Sequence, residues 1–143
     1  MSVSNLETAI TIAVEAHRGA VDKAGSPYVL HPLRMMQTFT DETTMIVAVL
    51  HDVVEDTPWT PGRLREAGFS DDILDALDGV TNREGESYEQ FIERAAGIPI
   101  AKKVKIADLE DNMDVRRLGT LGDRDAARLS KYLKAWRRLV GES

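Results

Sequence analysis

The sequence contains no cysteine among its 143 residues. Disulfide bonds and thiolate ligands are therefore excluded, and any metal site must be built from His, Asp, Glu or Asn. No apolar run approaches the roughly 20 residues that span a bilayer. The N-terminal segment MSVSNLETA also lacks the basic and then apolar pattern of a signal peptide. These absences predict a cytoplasmic protein without a membrane partner.

Basic residues are in the minority. The chain has 18 Lys and Arg against 24 Asp and Glu, a net charge of −6, whereas sequence-independent binding of DNA or RNA needs a net basic surface. We therefore expect no nucleic-acid polymer as a partner. A small nucleotide is compatible with the acidic balance, because a bound metal supplies local positive charge. The sequence does not indicate an oligomeric state.

The chain also lacks internal repeats, low-complexity tracts and Ser/Gly linkers, so we expect one domain over residues 1–143. Apolar residues recur at helical spacing along most of the chain, and no segment alternates as a half-exposed strand would. With 43% hydrophobic residues, the chain can bury a core and a small pocket. These patterns predict an all-α, single-domain helical bundle.

Capping residues and Pro or Gly breaks give the expected helix boundaries. The first helix is expected to begin at a capping box of Ser4 and Glu7 and to continue to about Gly19. The later helices are expected at 31–39, from an Asp41 cap to about 56, from Thr60-Pro61 onward, from a Ser70 cap to about 80, from a Ser87 cap to 97, at 100–118 and at 123–140. The segment ending near 56 is rich in Val and Ile. A buried strand is its alternative, but a length of about 15 residues favours a helix.

The last helix, 123–140, has two interpretations. Its several cations resemble those of a membrane-surface segment. Its apolar residues, however, form one face with the cations outside, which is typical of a helix packed on a core. The residues of that face are Leu129, Tyr132, Leu133, Trp136 and Leu139. Packing is the favoured interpretation, and a membrane or partner role is the alternative.

Four ionisable residues interrupt the apolar segment VAVLHDVVED: His51, Asp52, Glu55 and Asp56. An unpaired ionised carboxylate is costly to bury, so such groups are paired or bind metal. Asp56 follows Asp52 by four residues, and Glu55 follows His51 by four, which lets all four groups border one cleft of a helix. The segment is therefore a candidate for half of a metal site.

A divalent ion needs more ligands than the adjacent pair His51 and Asp52 supplies. His31 stands at a loop-to-helix junction, and Asp108 falls in the partly apolar stretch VKIADLEDN. Asn112 lies one turn after Asp108 on the same face, and Lys105 lies nearly one turn before it. His17, near the end of the first helix, is more often a structural residue in such a position.

Three segments together resemble the HD-domain phosphohydrolases, and most closely the (p)ppGpp hydrolase domain of the RelA/SpoT group and its small standalone relatives. They are GSPYVLHP (25–32), VLHDVVEDT (49–57) and VKIADLEDN (104–112), and the resemblance extends from about residue 6 to 118. It implies a helical fold of the HD-domain type with a four-ligand metal site. The implied metal ligands are His31, His51, Asp52 and Asp108.

The resemblance also implies a Mn2+ cofactor and the removal of pyrophosphate from the 3′ position of (p)ppGpp by a standalone alarmone hydrolase. Glu55 and Asp56 match the acidic pair that orients or deprotonates the attacking water. Asn112 matches an asparagine near the metal and the phosphate. The residue types alone leave Zn2+ and Fe2+ open as the metal.

The expected substrate contacts depart from the family pattern. Where the guanosine hydrolases commonly have Arg-Lys, this chain has Asp22-Lys23, so Lys23 and the nearby Arg18 are candidates for binding the base. Arg83 and Lys105 are further substrate-binding candidates, although Arg18 and Arg83 are equally compatible with solvated surface cations. The change to Asp22 keeps two alternatives open. One is a phosphatase for a nucleoside monophosphate or the 2′-phosphate of NADPH, and the other is a non-catalytic sensor of metal and nucleotide.

Overall fold

The computed structural model describes residues 5–141. These residues form nine α-helices, one 3-10 helix and a single antiparallel bridge between Val21 and Pro27, which confirms the all-α prediction. None of the described helices is long and apolar enough to cross a membrane. The 3-10 helix is Val115–Arg117, and the α-helices are α1 (Asn5–Ala16), α2 (Leu30–Met36), α3 (Glu42–Leu50), α4 (Val53–Asp56), α5 (Pro61–Glu66), α6 (Asp71–Gly79), α7 (Tyr88–Ala96), α8 (Pro99–Asn112) and α9 (Asp123–Val140).

Side-chain caps begin four of these helices where the sequence predicted them. Asp41, Thr60, Ser70 and Ser87 each accept a backbone N–H from the turn that follows, ahead of α3, α5, α6 and α7. Each cap satisfies one of the N–H groups that a helix start leaves unpaired. The capping box predicted at Ser4 lies outside the described residues.

Three helices are shorter than predicted. The first ends at Ala16 and the second at Met36, in each case about three residues early. The helix predicted to reach 118 ends at Asn112. There the Asp114 side chain accepts the backbone N–H of Arg116 at 3.2 Å and caps the 3-10 helix instead. A short acidic side chain competes in this way with the helical hydrogen bonds of the main chain.

The prediction of one continuous helix from the Asp41 cap to residue 56 is wrong. The segment divides into α3 and α4 at His51 and Asp52, where Asp52 has φ −101° and ψ −2°. The break falls on the pair of ionisable residues that interrupts the apolar pattern.

Helix α8 is central to the bundle and packs against α2, α3, α6, α7 and α9. The larger cluster of buried apolar side chains joins one side of α8 to α1, α2, α3 and α6. A smaller cluster joins its other side to α7 and α9 through Ile92, Leu109, Ala135 and Leu139. The buried polar residues of α8, Lys105 and Asp108, lie on a helix that packs on both layers.

Helix α9 packs on the core, but through a narrower face than the sequence predicted. Ala135 and Leu139 are buried, and Tyr132 and Trp136 pack beside them. Leu133 was expected in this face, but 44% of it is exposed. Neighbouring residues on a helix point about 100° apart, so Leu133 turns away from the core that Tyr132 meets.

Candidate metal centre and substrate cavity

The four predicted ligands, His31, His51, Asp52 and Asp108, meet between α2, α8 and the break between α3 and α4, and are called the ligand cluster below. One ligand atom each from His31, His51 and Asp52 lies within 4.8 Å of the other two. Asp108 Oδ1 lies 2.9 Å from Nε2 of His31 and 3.4 Å from Nε2 of His51. Residues up to 77 positions apart in the chain are thus brought to one point.

The break between α3 and α4 lets two adjacent residues face that point. On a continuous helix their side chains would diverge by about 100°. Here His51 ends α3 and Asp52 precedes α4, and Asp52 Oδ2 lies 3.0 Å from Nε2 of His51. The irregular backbone therefore serves the convergence of the pair.

Both imidazoles are oriented by the contacts of Nδ1. In His51, Nδ1 lies 2.8 Å from the Ala48 carbonyl oxygen, and in His31 it lies 2.6 Å from Asp111 Oδ2. A carbonyl and an ionised carboxylate only accept hydrogen bonds, so Nδ1 donates in each ring. In the neutral rings, Nε2 then carries the lone pair, and both Nε2 atoms face the carboxylates of the ligand cluster.

These lone pairs and carboxylates require a positive charge between them. Nε2 of His51 is buried without a well-formed hydrogen bond among the described residues. Burial opposes the charged form, but Asp52 and Asp108 outweigh it and raise the pKa of His51 well above its usual range. A divalent cation meets the same demand. Neighbouring ligands about 2.1 Å from an octahedral ion are roughly 3 Å apart, close to the separations seen here, so the residues fit a divalent metal.

Asp108 is held on both of its oxygens. Lys105 donates to Oδ2 at 2.8 Å, and Asn112 donates to Oδ1 at 2.9 Å. Burial opposes the charged form of Lys105, but Asp108 outweighs it and raises the pKa of the ammonium. The ring centroid of Phe91, 5.0 Å away, also favours the cation. Lys105 was predicted to contact substrate. It lines the cavity described below, but its hydrogen bond is to a metal-ligand candidate.

The structure separates the predicted water-handling pair: Glu55 lines the cavity described below, and Asp56 follows it on α4 without being one of the lining residues. Glu55 Oε1 accepts the backbone N–H of Asn82 at 3.1 Å, which ties α4 to the loop after α6. Burial raises the pKa of Glu55, and Asp52 adds to the rise. Burial and Asp52 likewise raise the pKa of Asp56. A carboxylate with a raised pKa is a stronger base near neutral pH.

A cavity of about 470 Å³ opens on the ligand cluster. This volume is within the range of small-molecule sites. Its acidic lining residues are Asp22, Asp52, Glu55, Asp108 and Asp114, and its cations are Lys23, Lys105, Arg117 and Arg128. The cavity therefore combines a metal-type site with positive charge suited to phosphate groups.

Asp22, which stands where the guanosine hydrolases commonly have an arginine, has a structural role in its loop. Asp22 Oδ1 accepts the backbone N–H groups of Ala24 and Ser26, both at 2.9 Å. Asp22 therefore shapes the loop, and both Asp22 and the exposed Lys23 line the cavity.

The other two predicted substrate contacts lie elsewhere. Arg18 pairs with Glu15 at 2.8 Å on an exposed part of α1. Arg83 pairs with Asp78 at 2.5 Å, also in an exposed position. Within residues 5–141, neither cation lines the cavity.

Three residues beside the ligand cluster were not predicted as part of it. The Tyr28 hydroxyl donates to Asp52 Oδ2, and the buried His17 ring packs 5.0 Å from the Tyr28 ring. Asp111 accepts from His31. The spacing offered a signal for two of them, since Tyr28 precedes His31 by three residues and Asp111 follows Asp108 by three.

The structure is a helical bundle with two imidazoles and two carboxylates at its centre. Comparison with known protein families identifies the class of protein to which this arrangement belongs. A family model described as "HD domain" matches residues 9–138, and the chain belongs to the HD domain family.

Named relatives fall in one group of nucleotide enzymes. The chain is 32% identical to guanosine-3′,5′-bis(diphosphate) 3′-pyrophosphohydrolase of Haemophilus influenzae, covering 84% of this chain and 20% of that protein. It is 32% identical to GTP pyrophosphokinase of Streptomyces coelicolor, covering 81% of this chain and 15% of that protein. The chain thus spans a fifth or less of the length of these relatives.

A solved structure is similar over the whole chain. It is that of a metazoan ortholog of SpoT described as hydrolysing ppGpp, with a TM-score of 0.82 and 26% identity. The match covers 100% of this chain and 89% of that one. The two relatives are named for different reactions, a pyrophosphohydrolase and a pyrophosphokinase. Which reaction this chain supports must therefore be inferred from the side chains of the site.

Proposed function

We propose that this chain is a hydrolase domain that removes pyrophosphate from the 3′ position of (p)ppGpp with Mn2+ as cofactor. The observation that carries the proposal is the ligand cluster opening on a cavity that is also lined by Glu55 and four cations. The names of the Haemophilus influenzae relative and of the solved metazoan structure support the same substrate.

The proposed metal ligands are His31, His51, Asp52 and Asp108. A divalent ion held there would polarise a phosphate oxygen and lower the pKa of a water molecule. Mn2+ suits the mixture of two imidazoles and two carboxylates, without a thiolate. Lys105 and Asn112 keep Asp108 in place for this task through their hydrogen bonds.

The protein's own residues would move the protons. Glu55, with its raised pKa, accepts a proton from the attacking water, and Asp56 helps to orient that water. The water oxygen forms a bond to the phosphorus that is attached to the ribose 3′ oxygen. The bond between that phosphorus and the 3′ oxygen breaks. The 3′ oxygen takes a proton and leaves as the hydroxyl of the nucleotide, and the other product is pyrophosphate.

The cations that line the cavity would bind the rest of the nucleotide. Lys23, Arg117 and Arg128 are within reach of a ligand that fills the cavity, and their charge suits the 5′ phosphates. Arg18 and Arg83 are paired with carboxylates outside the cavity, so we assign them no part in binding the substrate.

A panel of nucleotides incubated with the Mn2+-supplemented protein tests the proposal, with phosphate and pyrophosphate detected separately. We expect pyrophosphate and GDP from ppGpp, and no phosphate from nucleoside monophosphates. Intact ppGpp alongside cleavage of another nucleotide would overturn the substrate assignment.

The same panel tests a second candidate, a phosphatase for another nucleotide. The observation that favours it is Asp22, whose carboxylate shapes the loop in the place of the base-binding arginine of the guanosine hydrolases. Release of phosphate from a nucleoside monophosphate or from NADPH would support this candidate, because it yields a different product.

A further inference from the structure

The two histidines of the ligand cluster are oriented by different means. His51 donates through Nδ1 to the carbonyl oxygen of Ala48 in its own helix. His31 has a side-chain acceptor, since its Nδ1 lies 2.6 Å from Asp111 Oδ2 on another helix, α8. The support of His31 can therefore be removed by one substitution without disturbing the main chain.

We propose that Asp111 is a positioning residue of the metal centre, which fixes the Nδ1 proton of His31 and so directs Nε2 of that ring toward the metal. This inference rests on the metal site of the proposed function. It adds a residue outside the ligand cluster that determines how well the cluster binds.

Asp111 is placed for this role by α8. It follows the ligand candidate Asp108 by three residues, so both carboxylates lie on the same face of the helix. The His31 side chain is 5% exposed and that of Asp111 is 13% exposed. The imidazole thus lies between the two carboxylates, with Nε2 at 2.9 Å from Asp108 and Nδ1 against Asp111.

Two arginines hold the Asp111 carboxylate. Arg34 donates from Nε to Oδ1 at 2.8 Å and from Nη2 to Oδ2 at 2.9 Å, a two-pronged contact that fixes the plane of the carboxylate. Arg117, which lines the cavity, donates from Nη2 to the main-chain carbonyl oxygen of Asp111 at 2.6 Å and also lies 3.4 Å from the carboxylate atom Oδ2. The carboxylate that accepts from His31 is therefore held in one orientation by Arg34.

The contact matters because an imidazole has two neutral tautomers. With no acceptor at Nδ1, the proton can occupy Nε2, and that atom then has no lone pair for a metal. An acceptor also raises the basicity of the ring, and loss of such partners of metal-bound histidines typically costs 10–100-fold in metal affinity.

A purely structural role for Asp111 is the alternative, in which Arg34 and Asp111 only tie α2 to α8. Arg34→Met removes this ion pair and leaves the Asp111–His31 hydrogen bond. Asp111→Asn keeps an oxygen that can accept from Nδ1, and Asp111→Ala removes both contacts. If Asp111 positions His31, metal affinity should fall most in Asp111→Ala.

Calorimetric titration with Mn2+ measures this order. We expect the Kd of Asp111→Ala to rise 10–100-fold, with smaller changes for Asp111→Asn and Arg34→Met. The matched control is Asp71→Asn, which removes a carboxylate paired with Arg65 at the surface of α6; its Kd should stay that of the wild type. Equal affinities in Asp111→Ala and Asp71→Asn would overturn the proposal, as would an equal loss in Arg34→Met and Asp111→Ala.

A second measurement needs no metal. In proton NMR spectra of the 15N-labelled, metal-free protein, the Nδ1–H of His31 should give a protected signal, assigned by its absence in His31→Gln. Asp111→Ala should lose this signal. Should Asp111→Ala not fold, Asp111→Asn should shift the signal, because the acceptor becomes neutral. An unchanged signal in both variants would overturn the role of Asp111. Absence of Mn2+ binding by the wild type would instead refute the proposed function.

Discussion

At the scale of single residues, Glu55 offers the sharpest test of the proposed chemistry. Its Oε1 accepts the backbone N–H of Asn82, and a glutamine can make the same hydrogen bond through its amide oxygen. Glu55→Gln should therefore keep the side chain in place while removing its basicity. We expect kcat to fall by about 10²–10⁴-fold, the usual contribution of a general base, while the Kd for Mn2+ is unchanged.

The control for Glu55→Gln is Glu66→Gln, at the exposed end of α5, which should retain full activity. Steady-state kinetics and Mn2+ titration of both variants decide the role. A Glu55→Gln protein with wild-type kcat would remove Glu55 from the proton transfer.

Tyr28 gives a second prediction at this scale. Its hydroxyl donates to Asp52 Oδ2, and burial, with Asp52, raises the pKa of Tyr28, so it stays a neutral donor at ordinary pH. Tyr28→Phe removes this hydrogen bond and leaves the ring against His17. A hydrogen bond to a charged group contributes roughly 1.5–3 kcal/mol, so we expect metal affinity to weaken by at least about tenfold.

Tyr88→Phe is the matched control for Tyr28→Phe. It removes a buried hydroxyl that has no hydrogen-bond partner within residues 5–141, so metal affinity should not change. Calorimetric titration with Mn2+ compares the two. Equal affinities would show that the hydroxyl of Tyr28 does not support Asp52.

The four ligand candidates were predicted from the sequence, because ionisable groups interrupt the apolar segment at His51 and Asp52 and because the resemblance to the HD-domain phosphohydrolases implied the full set. Their supporting contacts were not, because a hydrogen-bond partner depends on which helices meet. Asp111 and His31 are 80 residues apart, so the three-residue spacing from Asp108 indicates that the two carboxylates share a helix face but not which residue Asp111 contacts. The spacing of Lys105 and Asp108 permits an ion pair on one helix, but the sequence does not show that both side chains are buried.

At the scale of helices, capping residues in the sequence predicted where helices begin, but no local pattern predicted the break between α3 and α4. The caps at Asp41, Thr60, Ser70 and Ser87 depend on neighbouring residues alone, and the structure has all four. The break at Asp52 was missed, because the Val and Ile on both sides continue the helical pattern. The break brings His51 and Asp52 together next to Asp108 of α8, a contact between distant segments that no local pattern records.

Helix packing gives a prediction at Gly79, where α6 crosses α8. A Cβ added at this residue would lie 2.7 Å from the Cβ of Ala101 and 2.9 Å from Cδ1 of Ile98. Gly79→Ala should therefore force the helices apart and lower the free energy of unfolding by about 1–3 kcal/mol. Urea denaturation measures this change.

Two further variants control for Gly79→Ala. Gly97→Ala adds a methyl group whose nearest neighbour is 3.7 Å away, so it should not destabilise the protein. Combining Gly79→Ala with Ala101→Gly should restore part of the lost stability. Equal midpoints for Gly79→Ala and Gly97→Ala would show that the helices can separate at no cost.

At the scale of the whole molecule, the ligand cluster links the parts of the larger apolar layer. His31 is on α2, His51 ends α3, and Asp108 is on α8. These three helices pack against one another around the core. Without a cation, the carboxylates and lone pairs at this junction oppose the packing that the apolar residues favour, so a bound metal should stabilise the entire fold.

Metal removal tests this coupling. A ligand that binds only the folded state stabilises it by about 2.7 kcal/mol at 100 times its Kd. Wild-type protein saturated with Mn2+ should therefore melt several degrees above the same protein in excess chelator, as measured by circular dichroism. Asp52→Ala removes a ligand candidate, so its melting temperature should not respond to Mn2+ or chelator. A wild-type melting temperature that is the same in both conditions would contradict a metal bound at the junction, and an equal response of Asp52→Ala would place the ion elsewhere.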